Sequence, residues 1–161
     1  MDKQELADSY RQWYRPLLVY ACTLTGDRAA AEDLVQSAFL KALLSYRGVR
    51  GELRFWLLRV LRNEWISYCR KNAHVSDVPP PDAAGGPDPL EELLRTEAQR
   101  QVYAAVRALP VRYREVLLQS TLLDLSDREI ARIHGISPEN IRKLRSRARE
   151  KLKEQIKEEE P

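Results

Sequence analysis

The chain has 161 residues, 43% of them hydrophobic and 32% charged, enough apolar material to pack one domain or two small ones and too much for wholesale disorder. Two cysteines without Cys-x-x-Cys spacing and two histidines leave no zinc site of standard spacing, so Cys22 and Cys69 are expected to be reduced, buried thiols. The net charge of +3 is modest, but it is unevenly spread: Lys41 to Lys71 hold eight Lys/Arg against two Glu, and Ser137 to Lys153 hold seven against two. Two basic islands in a nearly balanced chain point to two contacts with a polyanion.

The opening residues, Met1-Asp2-Lys3-Gln4-Glu5, are polar and lack the apolar core of a secretory signal. No apolar run is long enough to span a bilayer, so a cytoplasmic protein is expected. A first helix is predicted from about Gln4 to Thr25, with Leu6, Tyr10, Trp13, Leu17 and Tyr20 on one stripe. Gly26 ends it, and Asp27 caps a second helix that runs to about Ser45. Gly48 and Gly51 bracket a basic loop, Tyr46 to Glu52, and a third helix follows from about Leu53 to Lys71.

Between Ala73 and Pro89 lie five of the nine prolines and the pair Gly85-Gly86. Proline rings fix φ and remove backbone donors, so Pro79-Pro80-Pro81 cannot be helix interior. The stretch reads as a linker, reaching about 50 Å if extended. The expected organisation is therefore a domain over 1–72, a linker over 73–89 and a second domain over 90–161.

The second domain should restart at Asp88-Pro89, an N-cap followed by proline, with a helix over about 90–108. Pro110 separates it from another over about 111–123. Ser126-Asp127-Arg128-Glu129 is a capping box opening a short helix that ends near Gly135. Ser137-Pro138 opens the last helix, expected to run to about Lys153 before an acidic tail, Glu158-Glu159-Glu160. This capped helix, glycine, capped helix layout has the sequence form of a helix-turn-helix.

On its second helix Ile141, Leu144, Ala148 and Leu152 form the apolar stripe. Ser137, Glu139, Asn140, Arg142, Lys143, Ser146, Arg149 and Lys153 are left for the outer surface and its N-terminal end. Such a helix can lie in the major groove, early residues at base edges and later basic ones at phosphates. A solvated basic face is the plainer alternative.

The basic island of the third helix differs because aromatics are interleaved with it: Tyr46, Phe55, Trp56, Trp65 and Tyr68. Leu57, Leu61, Trp65 and Tyr68 share a face expected to be mostly core. Trp56, Arg59, Asn63, Ser67 and Arg70 form a second, largely polar stripe, suited to single-stranded nucleic acid. Trp56 packed beneath the preceding loop reads equally well.

These residues reach a recognisable pattern. Asp33-Leu34-Val35-Gln36-Ser37-Ala38-Phe39-Leu40-Lys41-Ala42, followed by Phe55-Trp56-Leu57-Leu58-Arg59-Val60-Leu61-Arg62-Asn63, resembles region two of extracytoplasmic-function sigma factors. Leu109-Pro110-x-x-Tyr113-Arg114-Glu115-Val116, then Glu129-Ile130-Ala131, Gly135-Ile136-Ser137 and Asn140-Ile141-Arg142, is similar to their region four. One departure is Ser67, where the family often has Asp.

The resemblance implies an all-α, two-domain, non-enzymatic initiation factor that binds core RNA polymerase and carries it to promoters. It implies duplex contact at the minus-thirty-five element and single-strand contact at the minus-ten element, where a non-template base is flipped from the stack. Under it, Asp33, Gln36, Phe39 and Leu40 would dock on polymerase, unless Phe39 and Leu40 belong to the core. Tyr46, Arg47, Arg50, Trp56, Arg59, Asn63 and Arg70 would hold minus-ten DNA. Ser137, Glu139, Asn140, Arg142, Lys143, Ser146 and Arg149 would hold minus-thirty-five DNA. The linker's Asp77, Asp82 and Asp88 would thread polymerase channels, or simply be solvated. An anti-sigma factor, often membrane-associated, would hide both basic surfaces. No cofactor, metal or small-molecule substrate is expected: there is no phosphate-cradling loop or nucleophile elbow, and His134, just before the turn glycine, reads as packing or capping.

Overall fold

In the computed structural model the described residues are 2–48, 52–73 and 94–159. Residues 74–89 of the linker expected over 73–89, the Asp88-Pro89 helix start, Arg50 and the end of the acidic tail lie outside them. Among the described residues there are seven α-helices and no strand. The chain divides into two units, Met1–Pro89 and Leu90–Pro161.

The first unit contains α1 (Lys3–Thr25), α2 (Arg28–Ser45) and α3 (Leu53–Ala73). A capping box at Asp2 and Glu5 opens α1, each side chain accepting the other's backbone N–H. Gly26 closes it at φ 68°, the left-handed conformation that glycine adopts without strain, and its N–H donates to the Cys22 carbonyl at 2.9 Å. Asp27 then caps α2 by accepting from the Ala29 N–H at 2.9 Å.

Helix α1 runs through Pro16, which cannot donate a helical hydrogen bond. The residues that follow explain why it continues. Leu17, Leu18, Tyr20, Ala21, Cys22 and Leu24 are buried, and so are Val35 and Phe39 of α2 and Leu57, Leu58 and Leu61 of α3. Each such leucine contributes about 1.5–3 kcal/mol, so packing outweighs one lost backbone bond. The hydroxyls of Thr23 and Thr25, buried in this core, donate to the carbonyls of Tyr20 and Ala21 at 2.7 and 2.9 Å. Cys22 is buried as expected; Cys69 is only partly so, and neither is in a disulfide.

The second unit contains α4 (Glu97–Arg107), α5 (Val111–Thr121), α6 (Asp127–His134) and α7 (Pro138–Glu159). Helix α4 begins later than the Asp88-Pro89 signal suggested: residues 94–96 are not helical, and Thr96 with Gln99 forms its capping box. Helix α7 runs past the expected end at Lys153 to Glu159.

The α4–α5 turn is closed by Arg114, whose buried guanidinium donates to the carbonyls of Arg107 and Leu109 at 3.0 and 2.9 Å. Gln119, fully buried on α5, meets His134 of α6 at 2.9 Å, so this histidine joins two helices. Leu109, Leu117 and Ala148 form a core extended by Tyr113 and Leu152, and the Lys151 ammonium lies 5.6 Å from the Tyr113 ring centre. No helix among the described residues is long and apolar enough to cross a membrane.

Gly135 makes the turn between α6 and α7 at φ 67° with open space where a Cβ would stand. Gly135→Ala should therefore cost only backbone strain, about 1–2 kcal/mol, read as faster hydrogen exchange of α6 and α7 amides. Unchanged exchange would mean the turn does not require the left-handed conformation.

Candidate nucleic-acid interface

Helices α6 and α7 build a helix-turn-helix from local signals. Ser126 accepts from the Glu129 N–H at 3.2 Å, and Glu129 accepts from the Ser126 N–H at 3.0 Å. Ser137 accepts from the Asn140 N–H at 3.1 Å and so caps α7. Ile130 and Ala131 of α6 and Ile141 and Ala148 of α7 are buried, with Leu144 and Leu152 partly so. That narrow apolar stripe leaves Glu139, Asn140, Arg142, Lys143, Ser146, Arg149 and Lys153 exposed along one side, with Ser137 at its start.

Arg145 belongs to the same basic run but does a different job. Both of its terminal nitrogens meet the carboxylate of Asp127, the first residue of α6, the longer of the two contacts being 3.3 Å. Its side chain is only 19% exposed, against 67% for Arg142, whose Nε lies 3.9 Å from the same carboxylate. Arg145 thus fastens α7 to the start of α6, while Arg142 stands out from the surface. Sequence spacing gave no hint of this, because Asp127 and Arg145 lie 18 positions apart.

In the first unit the polar stripe of α3 is on the surface: Arg59, Asn63, Ser67 and Arg70 are exposed. The Arg59 guanidinium lies 5.6 Å from the Phe55 ring centre. Tyr68, expected in the core, is exposed instead. A groove of about 550 Å³ runs between Leu34 and Lys41 of α2 and Val60, Asn63, Glu64 and Tyr68 of α3. Glu64 anchors it by accepting from Ser37 at 3.0 Å and pairing with Lys41.

Trp56 is partly buried, its ring tilted against Tyr46 at 5.4 Å between centres. Tyr46 itself is 4% exposed. Its backbone N–H closes α2 on the Ala42 carbonyl at 3.0 Å, and burial, with the Glu52 carboxylate adding, pushes its phenol above the ordinary tyrosine value. Expected to contact minus-ten DNA, Tyr46 is instead buried, a neutral ring packed against Trp56. Arg47, beside it, is exposed and donates to the Tyr46 carbonyl at 3.1 Å.

On α2 the expected docking residues also separate. Phe39, 5% exposed, packs edge-on against Tyr10 at 4.9 Å and belongs to the core. Asp33, Gln36 and Leu40 are exposed, and Leu43 and Leu44 continue an outward apolar strip that the sequence reading missed. Gln36 donates to the Tyr10 hydroxyl at 3.1 Å.

Two family models match this chain: Sigma-70 region 2 over residues 9–75, and Sigma-70, region 4 over residues 99–152. The RNA polymerase sigma factor CarQ of Myxococcus xanthus is 32% identical over 134 residues, covering 78% of this chain and 74% of CarQ. The chain belongs to the sigma-70 family of RNA polymerase sigma factors.

Several of its relatives are extracytoplasmic-function (ECF) sigma factors. The ECF RNA polymerase sigma factor SigM of Bacillus subtilis is 28% identical over 154 residues, 89% of this chain and 90% of SigM. The sigma factor RpoE of Bartonella quintana, solved in complex with the anti-sigma factor NepR, aligns with a TM-score of 0.68 at 26% identity, covering 95% of this chain and 99% of RpoE. This sigma factor accordingly binds core RNA polymerase and directs it to promoter DNA; the family is one of initiation factors rather than catalysts.

The Tyr46–Trp56 contact can be tested through Gly48, where an added Cβ would fall 2.7 Å from the Tyr46 hydroxyl. Gly48→Ala should displace the ring, lower stability by about 1–3 kcal/mol and shift tryptophan emission. Unaltered emission and melting would show that Tyr46 moves aside freely.

Proposed function

We propose that the two units divide promoter recognition between them. Residues 1–72 form the polymerase-docking and minus-ten module, residues 90–161 the minus-thirty-five module, and residues 73–89 the strap that joins them. The observation that carries this reading is the pair of exposed basic stripes on separate units, one on α3 and one on the second helix of a helix-turn-helix.

The α3 stripe offers an amide at Asn63, a hydroxyl at Ser67, cations at Arg59 and Arg70, and an indole edge at Trp56. An unpaired base needs a flat partner and edge hydrogen bonds to offset lost stacking, and a backbone needs cations; this stripe supplies both kinds of group. Arg47 and Arg50 extend the positive charge into the preceding loop. Asp33, Gln36 and Leu40, continued by Leu43 and Leu44, present a mixed apolar and polar strip that suits a protein partner, and we assign it to core polymerase. On α7 the early residues, Ser137, Glu139, Asn140, Arg142 and Lys143, would face base edges and nearby phosphates, with Ser146 and Arg149 on the flanking backbone.

The protein works where polymerase and promoters are, in the cytoplasm, and itself performs no covalent chemistry. An anti-sigma factor regulates it by covering these surfaces. RpoE, the structural relative, is held by such a partner; a membrane-associated anti-sigma factor would also hold this chain at the membrane.

Reconstitution with core polymerase separates the roles. Lys143→Gln and Arg149→Gln should each weaken binding across promoter sequences and lower the slope of log affinity against log salt by about one. Asn63→Ala should impair opening of duplex promoter and weaken binding to a pre-opened template while sparing binding to core polymerase. Promoter-independent loss of core binding in Asn63→Ala, or an unchanged salt slope in both cation variants, would overturn the assignment.

A further inference from the structure

One carboxylate serves two arginines of α7. Asp127 stands at the first position of α6, where the positive end of the helix dipole favours an anion. Arg145 takes both of its oxygens through terminal nitrogens, and the Nε of Arg142 approaches Oδ2 at 3.9 Å. The difference in which nitrogen is used decides what each arginine has left. Arg145 spends its terminal fork on the protein. Arg142 approaches the same carboxylate through its inner nitrogen at 3.9 Å, an ion-pair distance without a hydrogen bond, on a side chain that is two-thirds exposed.

We propose that Asp127 is a positioning residue for sequence readout: it holds Arg142 so that the outer edge of the guanidinium meets guanine in the duplex upstream element. The proposal deepens the minus-thirty-five reading of α7 and rests on it. Arginine pairs with the O6 and N7 of guanine through two parallel donors, the commonest specific contact in the major groove. That pairing needs the terminal edge free and the plane fixed. A flexible arginine meets phosphates as readily as bases, whereas a carboxylate at Nε selects rotamers and leaves the recognising edge unoccupied.

Position on the helix agrees. Arg142 is the fifth residue of α7, in the N-terminal portion that meets base edges when such a helix enters the major groove, whereas Arg149 and Lys153 lie further along.

The test uses holoenzyme assembled from the full chain and core polymerase, with promoters randomised across the upstream element. Wild type should prefer guanine at one position by roughly tenfold, and Arg142→Ala should lose that preference there while keeping others. Asp127→Asn should lose it at the same position, and Asp127→Asn added to Arg142→Ala should cause no further loss there. Because Asp127→Asn also releases Arg145, Arg145→Gln serves as the structural comparison: it should lower the stability of α6 and α7 yet retain the guanine preference.

Asp127→Asn that weakens all sequences equally, or Arg145→Gln that erases the preference as fully, would overturn the positioning role. Arg142→Ala that lowers affinity uniformly, with a shallower salt slope, would make Arg142 a phosphate contact and overturn the proposal too. Wild-type holoenzyme with no preference anywhere in the upstream element would instead overturn the minus-thirty-five reading on which it rests.

Discussion

A cation moved out of water loses several kcal/mol of hydration unless a carboxylate or carbonyl meets it, and that constraint shapes both units. Helix α7 carries seven Lys/Arg between Ser137 and Lys153 yet has to pack against α4, α5 and α6. It does so through a narrow apolar stripe, with Ile141 and Ala148 at its centre, and sends its charge elsewhere. The cation that comes closest to the packed side, Arg145, is the one that meets a carboxylate through both of its terminal nitrogens. Helix α3 repeats the solution: Leu57, Leu58 and Leu61 are buried, Glu64 takes Lys41 of α2, and Arg59 and Arg70 remain outside. Basic surfaces on this protein are thus what is left after the cores have been closed.

The two leftovers differ in kind. On α7 the exposed residues are charged or small and polar, and the rings nearby are engaged in the core, as Tyr113 is against Lys151. On α3 an indole reaches the surface at one end of the stripe and a phenol, Tyr68, stands clear further along. A duplex presents phosphates and edges, for which cations and small donors suffice; an opened strand also presents faces. Tyr46 matters here although it is buried, because a half-buried indole keeps its orientation only if something rigid lies behind it.

Signals confined to a few neighbouring residues were legible in the sequence. The glycine at 26, the aspartate cap at 27, the Ser126–Glu129 box, and the Gly135 and Ser137 pair all fix backbone geometry within one turn, and each is found where it was expected. Errors arose where two local signals competed or where the deciding contact was remote. The helix expected over about 90–108 is not continuous, since residues 94–96 are not helical and Thr96 caps a start at Glu97. The resemblance assigned Tyr46 and Phe39 to contact surfaces; their burial follows from Trp56 and Tyr10, ten and 29 positions away. Arg145 was indistinguishable from its basic neighbours because composition does not say which cation faces a carboxylate.

Asp127 unites these scales. As the first helical residue it suits the dipole of α6, which a local reading of the capping box already implies. Across the turn it sets how α7 sits on α6, since both its oxygens are met by Arg145. Its remaining interaction, with Arg142, acts on a side chain that contributes nothing to the core. A residue whose local, tertiary and surface preferences agree is one that folding and recognition can share without conflict. Replacing it disturbs three levels at once, so its contribution to recognition can be isolated only by comparing variants that touch one level each.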